Sequence, residues 1–114
     1  MKYIYVAGPL SQGDQFVNVR RAMQAADHLL AVGLIPFVPH LNAAWHMVSP
    51  KDYETWMQWD DAWLSRCDAL LRLPGPSDGA DQEMVRAQEM GLPVYLSIPD
   101  LMDALAAART LEGE

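Results

Sequence analysis

Apolar positions along the chain alternate between two spacings, and the elements follow from the switches. Residues 2–7, Lys2-Tyr-Ile-Tyr-Val-Ala7, form a β-rich run that stops at Gly8-Pro9, the pattern of a buried strand entering a loop. From Phe16 the spacing becomes three and four. Phe16, Val19, Met23, Ala26 and Leu30 are expected to share one helix face, ended by Gly33. Residues 34–38 read as a second short strand, and Pro36, lacking an N–H, predicts an edge or irregular position for it. Residues 39–50 read as a long loop holding His40, Trp45 and His46, and long loops in compact domains are often functional. A tryptophan-rich helix is expected over 50–65, a third strand over 68–73 and a third helix over 79–91. A fourth strand over 93–96 and a last helix over 99–109 complete the pattern.

Strand and helix thus alternate four times, which predicts a single α/β domain over 1–114. It is of the doubly wound, flavodoxin- or Rossmann-like type: a mainly parallel sheet of four to five strands with helices on both faces. The C-terminal ends of parallel strands lie on one side, so 5–11, 40–46 and 74–83 should converge on one crevice.

Composition narrows the partners. The chain has 114 residues, 51% of them hydrophobic, and four tryptophans, so it has material for one core. Its formal net charge of -7, with no cluster of Lys and Arg, argues against long nucleic acid and anionic membranes. A small nucleoside or nucleotide remains compatible, because a helix N-terminus holds one phosphate. The single cysteine, Cys67, forms no internal disulfide and fits a reducing cytoplasm. The absence of a signal segment or a long apolar run fits that location too. No cofactor is expected, since neither a G-x-G-x-x-G nor a G-x-x-x-x-G-K-[ST] pattern occurs. No metal is expected either: His40 and His46 match no zinc spacing and read as histidines lining a polar pocket.

Three groups of residues carry candidate chemistry. Glu83 follows the turn Pro74-Gly-Pro-Ser-Asp-Gly79, in which Ser77 or Asp78 caps the helix and Gly79 permits close approach. It is either a surface glutamate paired with Arg86 or a carboxylate kept ionised by the helix N-terminus. Asp60-Asp61 lies inside the tryptophan-rich helix, as a solvated face or as a proton-shuttling acid raised by partial burial. Trp56, Trp59 and Trp63 form one helical stripe, read first as core packing and second as a stacking surface for a base. Tyr5, pointing inward or at the strand tip, needs a partner for its hydroxyl if buried, and a carboxylate across the crevice would serve.

Taken together, these segments resemble the nucleoside 2-deoxyribosyltransferase-like superfamily. Ile4-Tyr-Val-Ala-Gly-Pro9, Asp60-Asp-Ala-Trp-Leu64, Cys67-Asp-Ala-Leu-Leu71 and Ser77-Asp-Gly-Ala-Asp-Gln-Glu83 occur in its order. The nearest form is a small branch with a Y-x-A-G-P start and an L-P-G-x-x-x-G-A-x-x-E turn. The resemblance implies chemistry at the N-glycosidic bond of a nucleoside or nucleotide. Glu83 would be the nucleophile, Asp60 (or Asp61) the acid/base, and Tyr5 the holder of Glu83. Gly8, Pro9, Ser11, His40, Trp59, Asp61, Ser77 and Gly79 would surround the substrate, with Ser77 matching a phosphate-contacting serine. The product would be a transferred sugar or, as the alternative, a hydrolysed deoxynucleoside 5′-monophosphate; a silent nucleotide-binding module is the non-enzymatic reading. The first loop has no arginine to meet a 5′-phosphate. An apolar, tryptophan-rich helix also predicts a homodimer or larger homo-oligomer.

Overall fold

A computed structural model describes residues 2–111. The elements are β1 (Tyr3–Ala7), α1 (Gln15–Ala31), β2 (Ile35–Phe37), a 3₁₀ turn (Pro39–Leu41), α2 (Asn42–Val48), α3 (Tyr53–Leu64), β3 (Ala69–Arg72), α4 (Asp78–Glu89), β4 (Val94–Tyr95) and α5 (Ile98–Leu111). The four strands pair in parallel in the order β2-β1-β3-β4. The chain therefore winds outward from β1 in one direction and from β3 in the other. The reversal between these two central strands opens a crevice at their C-terminal ends. β2 is an edge strand, as Pro36 requires.

Alternation along the strands sends side chains to two cores. Ile4, Val6, Ala69 and Leu71 pack against α1 and α5 through Ala22, Ala25, Leu29, Leu101 and Leu105. Tyr5, Ala7 and Leu70 pack on the other face with Leu64, Ala80 and Ala87 of α3 and α4. Asp68 ties the start of β1 to β3, accepting from the Lys2 and Tyr3 amides at 2.8 Å each.

Three expectations change. The buried residues of α1 are Asn18, Ala22, Ala25 and Leu29, each one position earlier than the apolar spacing indicated, while Met23 and Ala26 of the expected stripe pack partly buried at the margin of that face. Phe16 and Leu30 are exposed. Small alanines let the helix lie close to the sheet, and Asn18 is buried because its amide donates to the carbonyls of Leu10 (3.0 Å) and Gln12 (2.8 Å). Residues 39–50 are mostly helical rather than a loop: the 3₁₀ turn runs into α2, its fold stabilised by packing on α3. The tryptophan stripe of α3 is not core. Trp59 and Trp63 are 37% and 42% exposed. They pack instead on other rings: Trp45 edge-on against Trp56 and Trp59, and Trp63 stacked on Phe37 at 5.2 Å.

Candidate active site

The turn between β3 and α4 is shaped by two close approaches. Gly8 faces Leu73, where an added Cβ would lie 3.0 Å from the Leu73 Cβ. Gly75 has φ +111°, a left-handed conformation, and a Cβ there would lie 3.0 Å from the Pro9 ring. The loops after β1 and β3 therefore touch through two glycines. Arg72, buried at the end of β3, closes the turn by donating to the carbonyls of Leu73 and Gly75 (3.0 Å) and by pairing with Asp81 at 2.9 Å. Ser77 caps α4, its hydroxyl accepting from the Ala80 amide at 3.1 Å. Gly79 needs no close protein neighbour, since a Cβ there would enter open space.

These constraints place Glu83, the sixth residue of α4, over the C-terminal end of β1. Tyr5 reaches it from below and donates its hydroxyl to Glu83 Oε2. The Tyr5 ring is fully buried and packs against Phe37 at 5.4 Å. From α3, Asp60 enters the same cavity, and its Oδ1 accepts from the Asn42 amide of α2 at 2.8 Å. Asp61, the next residue, forms an ion pair with Arg86 of α4 and so joins α3 to α4. Glu83 is thus not the partner of Arg86, as one sequence reading had it.

The cavity measures about 950 Å³. Glu83, Asp60, Gly8, Ser11, His40, Ser77 and Gly79 all line it. Pro9, Trp59 and Asp61 do not. The Pro9 carbonyl accepts from His40 Nε2 at 3.0 Å. Trp59 packs between Trp45 and Trp63, and Trp56 is the tryptophan that reaches the cavity. Gln12, Asn42 and Gln82 also line it and were not singled out from the sequence; Arg86, read there only as a partner for Glu83, lines it too, three residues on from Glu83 and so on the same helix face.

Burial governs the titration of the site. It pushes Glu83 up to about 7; the Tyr5 hydrogen bond opposes this, neighbouring Asp60 adds to it, and Arg86 opposes it again. Asp60 is pushed up to about 6, again by burial, with the Asn42 hydrogen bond and Arg86 pulling down and Asp61 pushing up. The Tyr5 hydroxyl is held well above its ordinary value by burial, then by the nearby Glu83 and Asp60 carboxylates. Glu83 is therefore not held ionised by the helix N-terminus. That field fades beyond the first turn, and desolvation of a buried carboxylate is the larger effect. Burial also lowers the His40 pKa, which keeps the imidazole neutral at pH 7.

Two carboxyls that titrate in adjoining ranges, one held by a phenol and one by an amide, can exchange a proton with a ligand near neutrality. Among the described residues no cluster of His, Cys, Asp and Glu is arranged to hold a metal, and no helix is long and apolar enough to cross a membrane.

A family model described as a domain of unknown function (DUF7768) matches residues 2–97. No curated protein matches the sequence. Among solved structures, a conserved protein from Enterococcus faecalis V583 is 26% identical with a TM-score of 0.68, covering 82% of this chain and 61% of that one. A 2-deoxyribosyltransferase from the psychrotolerant Bacillus psychrosaccharolyticus is 23% identical with a TM-score of 0.59, covering 88% and 78%. A 2-deoxyribosyltransferase from Leishmania mexicana is 24% identical with a TM-score of 0.52, covering 82% and 62%. The chain thus has the fold of the 2-deoxyribosyltransferases, and it spans about three fifths of the Enterococcus and Leishmania proteins.

Proposed function

Since the chain belongs to the DUF7768 family, whose description names no activity, we propose its function from the site: cleavage or transfer at the N-glycosidic bond of a nucleoside or nucleotide. The observation that carries this reading is the Tyr5–Glu83 hydrogen bond in a cavity that also receives Asp60. The shared fold of two 2-deoxyribosyltransferases supports it.

In the reaction, ionised Glu83 attacks the anomeric carbon. The C–N bond breaks, its electron pair leaves with the base, and Asp60 gives that base a proton. Tyr5 holds Glu83 in place and keeps its second oxygen free for attack. In the second half, a base nitrogen or water attacks the same carbon, the C–O bond to Glu83 breaks, and Asp60 takes up the acceptor's proton. Retention of configuration follows from the two displacements.

The competent state needs Glu83 ionised and Asp60 protonated. With Glu83 titrating near 7 and Asp60 near 6, the population of this form peaks between those values, where the pair carries its single proton more often on Glu83 and the competent arrangement is the minor one. Incubation with a panel of deoxynucleosides, with and without a second free base, tests the reading by chromatography. A transferase makes the exchanged nucleoside; a hydrolase releases sugar and base only. No base release from any deoxynucleoside or its monophosphate refutes the enzymatic reading.

A further inference from the structure

We propose that Asn42 is a positioning residue for the acid/base of this site: its amide N–H, held by one oxygen of Asp60, leaves the other oxygen to carry the transferable proton into the cavity. The inference rests on the N-glycosidic reading given above and adds to it a residue that the sequence did not mark.

At a helix start an asparagine side chain commonly caps the backbone of its own helix. Asn42 opens α2, and α2 has no side-chain cap. The Asn42 amide instead crosses to α3 and donates to Asp60 Oδ1 at 2.8 Å. The packing of α2 holds it there. Trp45 lies three residues after Asn42, on the same helix face, and its ring packs edge-on against Trp56 at 5.2 Å and Trp59 at 5.1 Å. Trp56 is one turn before Asp60, and Trp59 is its neighbour in α3. The aromatic contact thus sets α2 against the turn of α3 that carries the acid.

An amide N–H only donates, so Asp60 Oδ1 meets it with a lone pair whether the carboxyl is charged or neutral. The proton of the neutral form then belongs on Oδ2. Among the described residues no protein group bonds Oδ2, and Asp60 lines the cavity together with Glu83. The proton therefore faces the ligand. The Asn42 bond strengthens once that proton is given up, because a charge-assisted hydrogen bond is stronger than a neutral one. Its downward pull on the Asp60 pKa has this origin. The charged and titratable groups that also act on Asp60 are Arg86 of α4, Asp61 beside it on α3 and, across the cavity, Glu83 of α4 and Tyr5 of β1. His46 of α2 is turned elsewhere, its Nδ1 accepting from the Lys51 amide and the Trp56 indole. Asn42 alone among these neighbours is hydrogen-bonded to Asp60.

Two measurements on the full chain test this, and the first needs no turnover. In a Glu83→Gln background Asp60 titrates without its coupled partner. Its carboxyl carbon signal is followed by NMR against pH, with and without Asn42→Leu, which keeps the bulk and removes the donor. The Asp60 titration is expected to move upward by ~0.5 pH unit or more when the donor is lost. The second compares base release from 2′-deoxyguanosine and from its N7-methylated form by wild type and Asn42→Leu. The methylated base starts cationic and leaves without taking up a proton, so its departure does not use the acid. Asn42→Leu should lower release from 2′-deoxyguanosine at least ~10-fold more than release from the methylated nucleoside. Equal losses from the two, as a purely structural role would give, or an unmoved Asp60 titration would overturn the proposal. Where wild type releases neither base, the titration decides alone: an upward shift upholds the grip of Asn42 on Asp60 and an unmoved one refutes it, whereas the reading of the reaction stands or falls on base release.

Discussion

Glu83 is an acid whose environment decides its chemistry. Burial raises it to about 7, so its charged form is disfavoured in the folded protein. A carboxyl raised in this way stabilises the fold below its unfolded value of 4.5 relative to higher pH, and that contribution is lost as pH rises through about 7. Glu83→Gln keeps an acceptor for Tyr5 and removes the charge. It should therefore raise the melting temperature relative to wild type at pH 8 and much less at pH 4. The gain corresponds to roughly 3 kcal/mol at ~1.4 kcal/mol per pH unit. Thermal unfolding across this range checks the sign. If turnover occurs, kcat/KM should be bell-shaped, with an acid limb near 6 and an alkaline limb near 7. Tyr5→Phe removes a donor that holds Glu83 down, so the limb governed by Glu83 should move to higher pH while the fold remains. A profile unmoved by that change would detach Tyr5 from Glu83. The raised Asp60 was one of the two sequence readings, whereas the raised Glu83 was not legible there. Helix position alone argued for an ionised Glu83, and only the packing of Tyr5 and Phe37 beneath α4 shows how dry that position is.

At the scale of the elements, the β3–α4 turn positions the site, and its sequence announced it well. Two prolines and two glycines before Asp-Gln-Glu marked a strand-to-helix switch, and Pro36 placed β2 at the edge. Arg72 was not legible, because an arginine at a strand end gives no sign of the carbonyls it will grip. The register of α1 shifted for a related reason: beside Leu29, its buried positions are two alanines and one asparagine, which a count of large apolar residues passes over. The close approach of the two loops predicts a sharp sensitivity. Gly75→Ala combines a strained left-handed backbone with a contact on Pro9 and should cost about 1–3 kcal/mol, read as a loss of denaturation midpoint. A change within experimental error would show that the turn relaxes freely.

Across the whole molecule, the alternation of strands and helices was sufficient to place the crevice, since parallel strands bring three loops to one side whatever their residues. The helices at residues 42–64 were read less well. Apart from Trp63, which stacks on Phe37 of β2, their tryptophans cover one another, and Trp45, Trp59 and Trp63 stay half-exposed, as Met47 and Val48 of α2 are exposed. We propose that this face is buried between copies of the chain, as the aromatic composition of α3 led us to expect. Light scattering should then give at least a dimer, and a monomer at working concentration would exclude it.

The central claim is that Glu83 forms the bond to the sugar. It is tested by measuring base release from a deoxynucleoside by wild type and Glu83→Gln at pH 6.5, with thermal unfolding to show that the variant is folded. The account predicts release by wild type and a loss of at least ~10³-fold in the variant. A folded variant that releases base within tenfold of wild type would contradict it.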